Sequence, residues 1–194
     1  MDSFFSDFFT QFKGLKVSDL LDIYKVSRLR TVKAGELIAK EGDIYSLGVG
    51  VIKGLVRTYV IKTDGEEKTI RLNPEKTFTG CANCMLNAEP SFEYLEAVEN
   101  SILVEINVSQ IRKLSEDNIR ILKFWSGRIE EALEEAVHRI EFLVTLTPEE
   151  RYLQLLKESP RLVNRVPQKY LASYIGVTTV SLSRIRSRVS KNNN

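Results

Sequence analysis

Between Ser27 and Ile106 the apolar positions come in short, β-branched runs: Ser27 to Lys33, Leu37 to Ala39, Leu47 to Ile52, Leu55 to Ile61, Lys68 to Leu72, Tyr94 to Val98 and Ile102 to Ile106. Their length and composition predict strands. Ala34-Gly35, Glu41-Gly-Asp43, Lys53-Gly54 and Thr63-Asp-Gly65 supply the turns, with Gly54 and Gly65 at positive φ in hairpins. Many short strands with regular turns predict an antiparallel sandwich or barrel. Ahead of them Phe4, Phe5, Phe8, Phe9 and Phe12 recur at helical spacing, and Asp19 to Tyr24 continues as helix. The polar residues of the phenylalanine stretch are acidic or neutral, which favours packing on the first domain over a membrane surface.

From about Ser109 the period changes to 3.6. A short helix at Ser109 to Leu114 precedes a long one. In the latter Ile119, Leu122, Ser126, Ile129, Leu133, Ala136, Ile140 and Leu143 step alternately by three and four, the register of a coiled-coil seam. Trp125, Ala132 and Val137 flank the seam and are expected to pack on the barrel of the same chain. A seam and a flanking stripe on one helix call for two partners, so self-association is preferred to burial within one chain. Thr147-Pro148-Glu149-Glu150 is a capping box with proline at the first helical position, and the helix it starts stops before Ser159-Pro160. The expected divisions are 1–114, a barrel with an N-terminal helix; 115–146, the dimerisation helix; and 147–194, the terminal domain.

That terminal domain carries the most informative pattern. Leu171, Ile175, Val177, Leu182 and Ile185 share one small core if Gln168 to Tyr174 and Thr178 to Arg188 are two helices joined at Gly176. This is a helix-turn-helix. Ala172 sits where crossed helices come closest, Gly176 ends the first in a left-handed conformation, and Thr178 caps the second. Burying Leu182, Ile185 and Val189 turns Val180, Ser183, Arg184 and Ser187 outward, with Thr179 at the leading edge. Such a narrow face fits a major groove, where arginine reaches guanine and methyl groups meet thymine. A hairpin used only for packing is the rival reading.

Charge favours the first of these. The whole chain carries only +2, but from Arg161 onward Arg161, Arg165, Lys169, Arg184, Arg186, Arg188 and Lys191 give +7 with no acid, leaving −5 on the remainder. A basic tail on an acidic body is the footprint of a nucleic-acid module. A length of 194 residues with 43% hydrophobic residues suffices for one or two packed domains. No apolar run approaches a membrane span, and the N-terminus lacks a basic signal-peptide region, so a cytoplasmic protein is expected. Two cysteines build no disulfide framework at this size, in keeping with a reducing compartment.

With strands, a long helix and a terminal helix-turn-helix in that order, the chain resembles the cyclic-AMP receptor protein and FNR (Crp-Fnr) family of bacterial regulators. The best local matches are Ala34-Gly-Glu-Leu-Ile with Glu41-Gly-Asp43, Val51-Ile-Lys-Gly54, Glu149-Glu-Arg-Tyr152, and Pro167 to Arg186. The resemblance implies an α+β chain: an antiparallel jelly-roll barrel of the cyclic-nucleotide-binding kind, a long dimerisation helix, and a winged-helix-like helix-turn-helix with a reduced wing. By analogy the protein is a homodimeric transcription regulator, not an enzyme. Its implied partners are palindromic double-stranded DNA, a second copy, RNA polymerase and an unknown small-molecule effector.

The resemblance breaks at the effector site. Nucleotide-binding members hold the ribose with a Gly-Glu pair and the cyclic phosphate with an Arg-Ser/Thr pair. Here the corresponding positions are Gly80-Cys81 and Ser91-Phe92, so only the glycine remains. A buried phosphate without its arginine is an uncompensated charge, and cAMP or cGMP binding of the usual kind is not expected. The operator should differ too. Family members carry an Arg-Glu pair where Thr179 and Val180 stand, whereas Arg184 matches a later family arginine. Arg184, Thr179 and Val180 are assigned to bases, and Lys169, Thr178, Ser181, Arg186 and Arg188 to phosphates.

Cys81-Ala-Asn-Cys84 remains. A metal site needs about four ligands, and the single histidine, His138, falls on the outer face of the long helix. No metal and no cofactor are expected. Placing the pair in a barrel loop rather than at a helix start argues against a thioredoxin-like enzyme. Structural thiols are the preferred reading, with a redox-sensing pair next. A sensor acting through protein partners is the competing class for the whole chain.

Overall fold

The computed structural model describes residue 12 and residues 14–192. The expectation for Phe4, Phe5, Phe8 and Phe9 lies outside that range. Phe12 is buried and stacks on Phe124 with ring centroids 5.0 Å apart.

Helix α1 (Val17–Lys25) leads into strands β1 (Ser27–Val32), β2 (Leu37–Ala39), β3 (Leu47–Lys53), β4 (Val56–Ile61), β5 (Glu67–Asn73) and β6 (Phe78–Thr79). A short helix α2 (Ala82–Asn87) separates these from β7 (Tyr94–Ala97) and β8 (Ser101–Asn107). The strands form two antiparallel four-stranded sheets, in the orders β1-β8-β3-β6 and β2-β7-β4-β5, a jelly-roll-like sandwich. Gly54 and Gly65 stand at positive φ, as their turns require.

Strand β3 is buried along nearly its whole length rather than on alternate residues. Both faces of its sheet are covered. Val49, Val51 and Leu103 face the second sheet with Val56, Leu95 and Ala97. Ile52 and Ile106 face the other way, onto Ile111, Ile121, Phe124 and Trp125 of two helices, α3 (Val108–Asp117) and α4 (Ile119–Thr145). The Asn118 side chain caps α4, accepting from the backbone N–H of Arg120 at 3.1 Å. The buried Asp19 carboxylate holds α1 against α4 through the Arg120 guanidinium, at 2.6 and 2.9 Å.

Past the bend at Leu146, α5 (Pro148–Glu158) starts on the expected capping box, with Glu150 N–H donating to Thr147 Oγ1. Helices α6 (Pro160–Arg165), α7 (Gln168–Ile175) and α8 (Thr179–Asn192) complete the described chain. Arg151 ties the two halves together. Its guanidinium donates to the carbonyls of Phe142, Leu143 and Leu146 at the end of α4, and to that of Ile175 at the end of α7. Both helix C-termini thus share one cation, which suits their dipoles.

Four details differ from the sequence reading. The cysteine pair is not in an open loop: Cys81 caps α2, its sulfur accepting from Cys84 N–H. Six residues are too few for a helical period to show, and the two-residue β6 was missed for the same reason. Arg161 to Arg165, to which the sequence reading assigns no element, lies in α6, which begins on Pro160. Of the residues expected to flank the seam and meet the barrel, Trp125 is buried there, whereas Ala132 and Val137 are exposed. At about 100° per residue, Val137 falls on the opposite side of the seam from Trp125.

Candidate nucleic-acid interface and effector cavity

The helix-turn-helix core closes around Leu171, Ala172, Ile175, Leu182, Ile185 and Val189, all buried, with Val177 packed partly against them. Gly176 makes the turn at φ 79°, and its N–H returns to the carbonyl of Ser173. A side chain there would meet strain, because that region is open mainly to glycine. Thr178 Oγ1 accepts from Ser181 N–H at 3.2 Å and starts α8.

This packing leaves Thr179, Val180, Ser183, Arg184 and Ser187 exposed along one face of α8, and Val180 keeps 59% of its surface. The other assigned residues sit differently. Arg186 is half-buried over the Tyr152 ring at 5.7 Å. Arg188 pairs with Glu149 at 2.6 Å. Lys169 faces the barrel, 3.7 Å from Glu67. Arg165 is held by Glu75 and Glu99 at 2.7 and 2.6 Å. Much of the +7 counted along the tail is therefore balanced by acids elsewhere in the chain, and the cation left on the groove-sized face is Arg184.

The terminal domain rests on the barrel through α7. Ser173 Oγ accepts from Thr69 N–H and donates to the carbonyl of Glu67, so α7 covers the edge strand β5. Beside it Arg57, 2% exposed, bonds Glu96 and Glu67 and lies between the rings of Tyr59 and Tyr170, at 3.9 and 3.7 Å.

Along α4 the other seam side chains point to solvent. Leu133 is 65% exposed, Ile140 62% and Ile119 60%, with Leu122, Ile129, Ala136 and Leu143 also exposed. So many large apolar groups on one stripe mark an interaction surface.

At the position where the sequence reading expects a degenerate effector site, Gly80 has φ 156°, and a Cβ there would come within 2.9 Å of Met85 Sδ and 3.0 Å of the Leu47 carbonyl. Ser91 is buried and occupied by its own loop, donating to the Glu93 carbonyl and accepting from Glu93 N–H. Phe92 is 57% exposed and turns away. The guanidinium that does reach this loop comes from β5: Arg71 donates to the Gly80 carbonyl at 3.2 Å and to Glu93 at 3.1 Å. Sequence reasoning missed Arg71, since its position on a strand carries no motif. Gly80, Arg71, Met85 and Leu86 line one wall of a cavity of about 810 Å³, whose opposite walls are α4 and the helix-turn-helix.

The cysteines lie behind this loop. Cys81 and Cys84 are buried with their sulfurs 2.9 Å apart, and burial together with the neighbouring Cys81 thiol pushes Cys84 up to about 11. Among the described residues no group of three or more histidine, cysteine, aspartate or glutamate side chains is placed to hold a metal. No described helix is long and apolar enough to cross a membrane.

Comparison with known proteins agrees with this architecture. The cyclic nucleotide-binding domain family matches residues 29–118. Solved structures similar over most of the chain include FixK2 from Bradyrhizobium japonicum, 20% identical over 87% of this chain and 86% of that one, with a TM-score of 0.74. The c-di-GMP-responsive global regulator CLP of Xanthomonas campestris is 17% identical over 92% and 93%, at 0.71. A CRP/FNR-family transcriptional regulator from Thermus thermophilus is 20% identical over 85% and 87%, at 0.66. At these identities the likeness establishes a shared fold. A comparison with curated proteins gives no match.

Proposed function

We propose that this chain, which has the fold of the CRP/FNR transcriptional regulators, is a homodimeric, sequence-specific DNA-binding regulator. The observation that carries the reading is the exposed face of α8, where Thr179, Val180, Ser183, Arg184 and Ser187 stand exposed at the end of a tightly packed helix-turn-helix. Arg184 with Thr179 and Val180 reads base edges, and Thr178 and Ser181 hold phosphates at the start of the helix. Lys169, Arg186 and Arg188 join them at the backbone once DNA competes with their present partners. The bare stripe from Ile119 to Leu143 pairs with a second copy, and 1–114, 115–146 and 147–194 act as sensing, pairing and reading units. Two recognition helices then sit roughly 34 Å apart, one helical turn of DNA. RNA polymerase and a small-molecule effector complete the assembly, in the cytoplasm, and no catalytic step is assigned.

Titration of the protein onto duplex DNA at several salt concentrations tests this. Phosphate contact gives a steep loss of affinity with salt, whereas a sensor acting through protein partners gives weak, salt-insensitive association. Arg184→Ala should cost about 1–3 kcal/mol on a specific site and much less on random DNA.

The 2.9 Å approach of Cys81 and Cys84 favours a second reading, in which the two thiols respond to oxidant. A peroxide would take two electrons and two protons from the pair, leaving a disulfide, water and the reduced peroxide fragment. DNA binding lost on mild oxidation and restored by thiol would support it, and binding unchanged in the oxidised protein would remove it.

A further inference from the structure

The cavity beside Gly80 has walls of a particular character. Ile70, Phe78, Met85, Leu86, Trp125 and Ile129 make it mainly apolar, and three arginines line it: Arg71 from β5, and Arg128 and Arg139 from α4. Each of the three keeps a buried N–H without an acceptor among the described residues: Nε of Arg71, Nε of Arg128 and Nη1 of Arg139. The Nη2 of each is engaged: that of Arg71 with Gly80 and Glu93, that of Arg128 with Glu131, and that of Arg139 with the carbonyl of Tyr174. Leaving a buried donor unmet is unfavourable, and more so for a charged group. Three arginines with an unmet donor each thus border one cavity.

We propose that this cavity binds an organic anion, a carboxylate or similar oxyanion head on an apolar body, with Arg71, Arg128 and Arg139 receiving the head and the apolar walls the body. The volume, about 810 Å³, lies within the range of small-molecule sites. Glu135, Glu141 and Glu158 also border the space. Burial raises the Glu135 carboxyl above its ordinary value, with the Arg71 charge acting the other way. Ile129, Ala136 and Ile140 of the seam border the same space, so a second copy would lie beside an anion held by Arg128 and Arg139, which sit roughly 100° around α4 from the seam.

The proposal deepens the regulator reading by naming the chemical class of its effector, but its test contains no DNA, so either can fail alone. The full chain is titrated calorimetrically with octanoate, 4-phenylbutyrate and 2-naphthoate, and with the neutral primary amide of each. At least one acid should bind, about tenfold or more tighter than its amide, equivalent to about 1.4 kcal/mol. Arg71→Gln and Arg128→Gln should each remove about tenfold of that preference while leaving the amide within about twofold. Arg112→Gln, an exposed charge on α3, should change neither. Among the described residues the ion pair of Arg128 is with its helical neighbour Glu131, so this variant stays informative if Arg71→Gln lowers the melting temperature. Binding of no acid, equal binding of acid and amide, or preference unchanged in both arginine variants overturns the proposal.

Discussion

The guanidinium of Arg57 lies 3.7 Å from the centre of the Tyr170 ring, so a buried cation of the barrel is roofed by the first helix of the helix-turn-helix. Burial works against that charge, and the hydrogen bonds that the guanidinium donates to Glu96 and Glu67 outweigh it and hold the Arg57 pKa above its usual value. Arg57→Ala would leave two carboxylates without their cation in a largely enclosed site, and breaking such a pair costs about 3–5 kcal/mol. Urea unfolding followed by Trp125 fluorescence would measure it. A loss under about 1 kcal/mol would mean that Glu96 and Glu67 find water or Lys169 instead.

The Asp19–Arg120 pair makes a pH prediction. Hydrogen bonds from Arg120, and then from the Lys16 backbone, hold the Asp19 carboxyl well below its ordinary 3.8. Because the folded value is the lower one, the stabilisation is complete above about pH 4 and is lost as the pH falls through the folded value. Asp19→Asn should therefore be less stable than the parent at pH 7, with a shallower decline on acidification, and the two should converge toward pH 2. Parallel curves in chemical denaturation between pH 7 and 2 would contradict the assignment.

Cys84, raised to about 11 by burial and by Cys81, should be almost wholly protonated at neutral pH. Since only the thiolate reacts, maleimide labelling at pH 7.5 should be much slower in native protein than in urea-unfolded protein. Rapid native labelling of both thiols would show that the loop opens.

The exposed stripe on α4 should close on a second copy. Sedimentation equilibrium should give about twice the chain mass of 22.2 kDa. Leu133→Glu, a charge placed in the middle of an apolar seam, should shift the population to monomer without unfolding it, because Leu133 is 65% exposed in the single chain. A monomeric parent at micromolar concentration would count against the pairing.

What could be read from the residue pattern, and what could not, follows the range of the interactions involved. Strand positions and the register of α8 depend on periods of two and 3.6 within one element, so Leu182, Ile185 and Val189 come out buried, and Val180 and Arg184 exposed, as expected. The capping box at Thr147 and the turn at Gly176 are equally local. The cavity arginines are not: Arg71 and Arg139 come from distant parts of the chain, and no local spacing brings them together. The same holds for electrostatics. Counting charges along the tail finds the basic segment but misses that Glu75, Glu99 and Glu149 neutralise Arg165 and Arg188. Helix α2 escapes notice because it is shorter than two turns, yet it decides where Cys81 and Cys84 point.

Selection of bound duplexes from a random pool, using the full chain, tests the dimeric reader most directly. The enriched sequences should form an inverted repeat with half-site centres about 10 base pairs apart, and Arg184→Ala should blur one defined position in each half. Enrichment of a single unpaired motif, or of none, would contradict the account.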